Sequence, residues 1–220
     1  MTRNVRTYDH FCMVARALER VGDRWSLLLI RDLLTGPKRF TDLMERLGGI
    51  TPKTLSVRLR ELEDDGLVAV DRAPGRREVW YRLTPDGEDL GPVIDELSWW
   101  GLRHAWRTPQ SGEPLHPEHL LRSAIRAIDR SADDNGGPAR WHFRLDGGDY
   151  LAERDGGHWS LAASAPSGPA DVTITATTQA LGALIFAGSD AGVDIAGEDG
   201  PTRRFRQLIG AMAATVRSSA

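Results

Sequence analysis

The chain has 220 residues, of which 40% are hydrophobic and 27% charged, an ordinary balance for a folded protein that excludes wholesale disorder and fibrous repeats. That length suits two domains of about 100 residues each. The net charge of −3 argues against a general polyanion binder, yet residues 1–110 carry 18 Lys and Arg against 17 Asp and Glu, while residues 111–220 carry 10 against 14, so any nucleic-acid surface is expected in the first half.

No apolar run approaches the roughly 18 residues that a membrane-crossing helix needs, and "MTRNVRTYDHFC" lacks the apolar core of a secretion signal. Cytoplasmic residence without a membrane partner is the expectation. The single cysteine, Cys12, rules out an intrachain disulfide and leaves a free thiol or an intermolecular bridge.

In chain order, residues 9–21 place Phe11, Val14, Ala15, Leu18 and Val21 at spacings of three and four, and residues 23–35 do the same with Trp25, Leu28, Leu29 and Leu33. Two opening helices are predicted. Residues 39–68, "RFTDLMERLGGITPKTLSVRLRELEDDGLV", give two more, one with Phe40, Leu43, Met44 and Leu47 on one face, the next with Leu55, Leu59 and Leu62. Gly48 and Gly49 stop the first because glycine accepts a left-handed backbone. Thr51 and Pro52 restart the chain as N-cap and first helical residue. "LVAVDRAPGRREVWYRLT" then alternates on both sides of a basic turn, as a hairpin does. Thr84 is expected to cap a helix running to about Trp106, with Leu90, Val93, Ile94, Leu97 and Trp100 at helical spacing. Its apolar face needs a partner.

"RTPQSGEPLHP", residues 107–117, has linker composition and sets the expected domains at 1–110 and 111–220. Beyond it, residues 118–131 form an amphipathic helix through Leu121, Ile125 and Ile128. Strands follow in "RWHFRLD", "HWSLAA" and "DVTITA", separated by the turn-forming "DGGD", "RDGGH" and "APSGP". A helix near Ala180 to Ala187, a short strand at Val193 to Ala196 and a closing helix through Phe205, Leu208, Ile209, Met212 and Val216 complete an α+β domain.

Helix, turn, helix, basic hairpin is the order of a winged helix-turn-helix, whose second helix can enter the major groove while the first braces it. On that helix Lys53, Thr54, Ser56 and Val57, with Arg58 next, are candidates for base edges, and Arg60 for a phosphate. Arg72, Arg76 and Arg77 crowd around Pro74 and Gly75, where a turn could follow phosphates or enter a minor groove. Lys38 and Arg39 begin the supporting helix and could add contacts. A charged face on a short helix pair is common in helical domains of every function; the basic hairpin that follows is what favours double-stranded DNA.

From Cys12 to about Trp106 the chain resembles the HxlR-type winged helix-turn-helix transcriptional regulators of bacteria. The resemblance rests on the Cys ahead of "GDRW", on "GPKRF", "LRELEDDGLV" and "YRLTPDG". It implies a homodimer on a palindromic operator, acting as repressor or activator, with residues 9–21 and 86–106 supplying the dimer contacts. Two copies would set their reading helices about 34 Å apart. Cys12 matches the position of a redox-sensing thiol in some members, although Met13 stands where many have proline, and an isolated Cys on an apolar helix is ordinarily a packing residue.

The second half resembles the sterol-carrier-protein fold in "FRLDGGDYLAERDGGHWSLA", "ADVTITATTQALGALIFAG" and "VDIAGEDGPTRRFRQLIG". That resemblance implies an apolar pocket between sheet and helices, open to an apolar small-molecule effector, which Trp141, Phe143, Trp159, Phe186 and Phe205 could line. The same aromatics suit a closed core. His116 and His119 have no further ligand set at metal-site spacing, and no catalytic, phosphate-cradling or dinucleotide motif occurs. No enzyme activity, metal or cofactor is expected. A DNA-binding regulator is the leading expectation; its rival is a carrier of lipid or small apolar ligands whose first half only dimerises.

Overall fold

A computed structural model describes residues 7–72, 78–107, 109–110, 113–130 and 137–217, with side chains to residue 214. The chain divides into two compact units, Met1–Ile94 and Asp95–Ala220. The division falls ahead of the expected linker, and the charges of the second unit explain why. Asp95 is buried and receives the guanidinium of Arg122 at 2.7 Å and that of Arg126 at 2.9 Å, while Trp99 packs on the second unit's core.

The first unit runs through α1 (Met13–Val21), α2 (Ser26–Leu33), β1 (Lys38–Arg39), α3 (Phe40–Leu47), α4 (Pro52–Asp64), β2 (Val68–Asp71), β3 (Trp80–Leu83), α5 (Pro85–Glu88) and the start of α6 (Gly91–His104). Helix α1 starts later than its periodicity suggests, because Asp9 takes a φ of 51° and Cys12 an extended backbone. The helix expected from Thr84 to Trp106 is two helices. Thr84 caps α5 by accepting the Gly87 N–H at 3.2 Å; Pro92 then lacks the N–H that a continuing helix needs and its ring opposes the carbonyl four residues back, so α6 starts afresh.

The three strands are antiparallel in the order β1-β3-β2, with Lys38 opposite Tyr81 and Val68 opposite Leu83. Leu29, Ile30, Leu43, Leu55, Leu59 and Leu62 form the centre of the core beneath them. Gly87 lies so near β2 that an added Cβ would sit 2.2 Å from the Leu67 carbonyl oxygen, an approach only glycine permits.

The second unit holds the rest of α6, then α7 (Pro117–Asp129), β4 (Ala139–Leu145), β5 (Gly148–Asp155), β6 (His158–Ala162), β7 (Val172–Ala176), α8 (Thr178–Ala187), β8 (Val193–Gly197) and α9 (Asp199–Arg217). Its sheet has the order β6-β5-β4-β7-β8, with β4 and β7 parallel and the other neighbours antiparallel. The strands expected at "RWHFRLD", "HWSLAA" and "DVTITA" are present as β4, β6 and β7. Strand β5 was not among those expected, because Leu151 is buried between Tyr150 and Ala152 and breaks the alternation that marks a one-sided strand. Among the described residues no helix is long and apolar enough to cross a membrane.

Candidate nucleic-acid interface

The turn between α3 and α4 depends on Gly48 and Gly49, whose φ angles are 51° and 71°. Ile50 then plugs into the core, and Thr51 caps α4 by accepting the Thr54 N–H at 3.2 Å. Leu55, Leu59 and Leu62 are buried and fix one face of α4 to the domain. Burial of each such side chain stabilises by about 1.5–3 kcal/mol, so the rest of the cylinder is presented in one orientation. Lys53, Ser56, Val57 and Arg60 are exposed on it. Thr54 is half-buried, its hydroxyl 2.8 Å from that of Thr51.

The basic side chains flagged in the sequence separate into two kinds. Among the described residues Lys53, Arg60 and Arg72 form no ion pair and are exposed. The others are held by the domain. Arg58 Nε lies 3.2 Å from Asp23 Oδ1 and its Nη1 bonds the Glu61 carboxylate. Arg39 donates to Asp42 at 2.9 Å, lies 3.6 Å from Glu78 and covers the Trp80 ring at 5.6 Å. Arg39 holds the Asp42 carboxyl below its ordinary range, and Asp42 in turn raises Arg39. Lys38 Nζ donates to the carbonyls of Gly36 at 3.0 Å and Thr35 at 3.3 Å. Arg76 and Arg77, with the rest of the expected hairpin turn, lie outside the described residues.

Two features of the mount lie outside the candidate residues named from the sequence. Asp32 is fully buried on α2 and accepts Arg46 Nε at 2.8 Å and Arg31 Nη2 at 2.9 Å, tying α2 to the last turn of α3. Arg82 is exposed on β3, opposite Ala69 of β2, adding a cation to the hairpin that the turn-centred reading passed over. The first could be found only by asking where a buried carboxylate in "LLIRDLL" would find its partner. The second follows the alternation of "VWYRL" itself.

Cys12 is half-buried at the N-cap of α1, and its carbonyl accepts the Arg16 N–H at 3.0 Å. In the second unit, the aromatics considered for a pocket separate into two groups. Trp141, Phe143, Trp159 and Phe205 are all buried and pack on each other, with ring centroids of Trp141 and Trp159 4.3 Å apart and of Trp141 and Phe205 5.0 Å apart. They pack together within the second unit's core. Phe186 packs on the edge of the same core, half-buried against Trp106 at 4.3 Å, beside a cleft of about 430 Å³. His116 and His119 have ring centroids 5.5 Å apart, and no group of three metal-ligating side chains forms among the described residues.

Residues 20–109 match the HxlR-like helix-turn-helix family. Over 109 residues the chain is 43% identical to an uncharacterized HTH-type transcriptional regulator, Mb3122, of Mycobacterium bovis, covering 48% of this chain and 66% of that protein. Over 107 residues it is 37% identical to the uncharacterized HTH-type transcriptional regulator YkvN of Bacillus subtilis, covering 46% of this chain and 89% of that protein. A transcriptional regulator of MarR family from Enterococcus faecalis V583 is a structural neighbour at 38% identity and a TM-score of 0.39, covering 44% of this chain and 90% of that one. The chain thus spans just under two thirds of the length of the mycobacterial relative.

Proposed function

The chain belongs to the HxlR-like helix-turn-helix family, a family of transcriptional regulators and not of enzymes, and from that membership we propose that it binds operator DNA sequence-specifically as a homodimer. The observation that carries this reading is α4 itself: a capped helix, anchored by three buried leucines, that exposes Lys53, Ser56, Val57 and Arg60. Ser56 and Val57 suit base edges, the hydroxyl by hydrogen bonding and the isopropyl group by contact with a thymine methyl. Lys53, Arg60 and Arg72 suit phosphates.

Pairing of two copies is supported by apolar surface that the chain leaves uncovered. Phe11 is 89% exposed, Val14 67% and Leu18 40%, three residues along and just ahead of α1. Helix α6 exposes Val93, Leu97 and Trp100 at spacings of four and three, one face of a helix. The second domain is an α+β module that resembles the sterol-carrier-protein fold, and we assign it a role in sensing a small apolar effector. The carrier reading fits less well, since it gives no role to the exposed face of α4.

The test is recovery of genomic fragments bound by the full chain, followed by footprinting. Two protected half-sites one helical turn apart are expected, and Val57→Ala should relax preference at one base pair per half-site, since it removes the isopropyl group that would meet a thymine methyl. Binding of random and selected duplexes with equal affinity would end the proposal.

A further inference from the structure

We propose that the turn between α1 and α2 belongs to the DNA interface, with Arg24 meeting a phosphate on the flank of α4 where the helix itself offers no available cation. The step rests on the DNA-binding reading above and adds a residue to that interface.

Away from its buried leucines, α4 presents two stripes at spacings of three and four, Lys53, Ser56 and Arg60 on one side and Thr54, Arg58 and Glu61 on the other, with Val57 between them. The first stripe is exposed and carries both cations of the helix that form no ion pair among the described residues. The second is half-buried, and its one guanidinium lies between Asp23 Oδ1 at 3.2 Å and the Glu61 carboxylate. One guanidinium against two carboxylates leaves that flank negative. A helix in the major groove runs between two phosphate strands, and the groove is only about 12 Å wide. The flank would therefore repel one strand unless a further cation stands beside it.

Arg24 is that cation. Asp23 faces Arg58 and its Oδ1 also accepts the Trp25 N–H at 2.9 Å, while its carbonyl accepts the Ser26 N–H at 3.1 Å. The turn is thereby fixed to the half-buried stripe, and Arg24 is its next residue. It is exposed, forms no ion pair among the described residues, and lays its guanidinium over the Trp25 ring at 5.2 Å. A guanidinium stacked on a ring keeps its charge and still offers an N–H edge to phosphate oxygens. Stacking also narrows the conformations that the side chain gives up on meeting one.

Binding of the full chain to a selected genomic duplex and to a random one, followed across a salt series, tests the assignment. Arg24→Ala removes two contacts from a dimer and should make the slope of log affinity against log salt shallower by about 1.8. It should weaken both duplexes by the same factor, because a phosphate contact carries no sequence information. Arg24→Lys keeps the charge and should restore the slope, and both variants should keep the urea midpoint of the unaltered chain. An unchanged slope in Arg24→Ala, a slope that lysine fails to restore, or a fall in the urea midpoint, which marks a structural role, would overturn the assignment. If Arg60→Ala still lowers the slope in that case, the regulator reading stands without Arg24. Failure of the unaltered chain to prefer the selected duplex would end that reading, and this assignment with it.

Discussion

Replacing Arg60 by alanine should reduce the salt dependence of operator binding, and replacing Arg58 should not. Each phosphate neutralised contributes about −0.9 to the slope of log affinity against log salt. Lys53, Arg60 and Arg72 are the flagged cations that are exposed and form no ion pair among the described residues, so a symmetric dimer using all three in each copy has a slope of about −5.4 from these side chains. Arg60→Ala removes two contacts from the dimer and brings the slope to about −3.6. Between 50 and 200 mM salt, the share of affinity lost through these contacts then falls from roughly a thousandfold to roughly a hundredfold. Arg58, held by Asp23 at 3.2 Å and by Glu61, is already neutralised within the domain. Arg58→Ala should leave the slope unchanged and lower stability by about 0.5–1 kcal/mol, the range of a partly exposed pair. Fluorescence anisotropy of a labelled operator across a salt series reads both variants. An equal fall in slope for Arg58→Ala and Arg60→Ala, or no change for Arg60→Ala, would refute the division between held and available cations.

Asp32→Ala should destabilise the first unit by about 3 kcal/mol, because it leaves two guanidinium groups beside a buried position without their carboxylate; urea denaturation should show the midpoint falling by about 1–2 M. Leu18→Glu places a charge within the exposed apolar face of α1 and should shift the chain from dimer to monomer in sedimentation equilibrium, while leaving its helical circular dichroism intact. Glu113 is held down to about 2 by Arg107 and by the Gln110 N–H. A depressed carboxylate stabilises above its unfolded value and loses that contribution as pH falls, here between about 4.3 and about 2. An NMR titration of the Glu113 side chain should find that low midpoint, and Arg107→Ala should return it to the ordinary glutamate range.

The first unit was legible because its elements are one-sided. Leucines at helical spacing, a Gly-Gly stop and a Thr-Pro start each have one structural answer, and α3, the turn and α4 lie where these signals put them. Periodicity overshot at the ends of α1 and α2, since apolar residues continue past the point where the backbone turns. It also ran through the break at Pro92, because Leu90, Val93 and Ile94 keep helical spacing across it. In the second unit β5 is buried on both faces and so shows no alternation. Asp95 moved the division between units through ion pairs to residues 27 and 31 positions away, a distance no local pattern spans.

The interface was legible in position and less so in strength. Spacing alone places Lys53, Thr54, Ser56, Val57, Arg58 and Arg60 away from the buried leucines; the structure exposes Lys53, Ser56, Val57 and Arg60 and leaves Thr54 and Arg58 half-buried. It could not say which guanidinium groups have partners, because Asp23 precedes Arg58 by 35 positions and Glu78 follows Arg39 by 39. Counting Arg and Lys therefore overstates the electrostatic footprint: Lys38, Arg39 and Arg58 fasten α3, α4 and the hairpin to the domain. A cation that holds the reading helix still and a cation that meets a phosphate both raise affinity, the first by keeping α4 in one orientation and the second by releasing counterions. Only the second makes that affinity depend on salt, which is why the slope, and not the affinity alone, separates them.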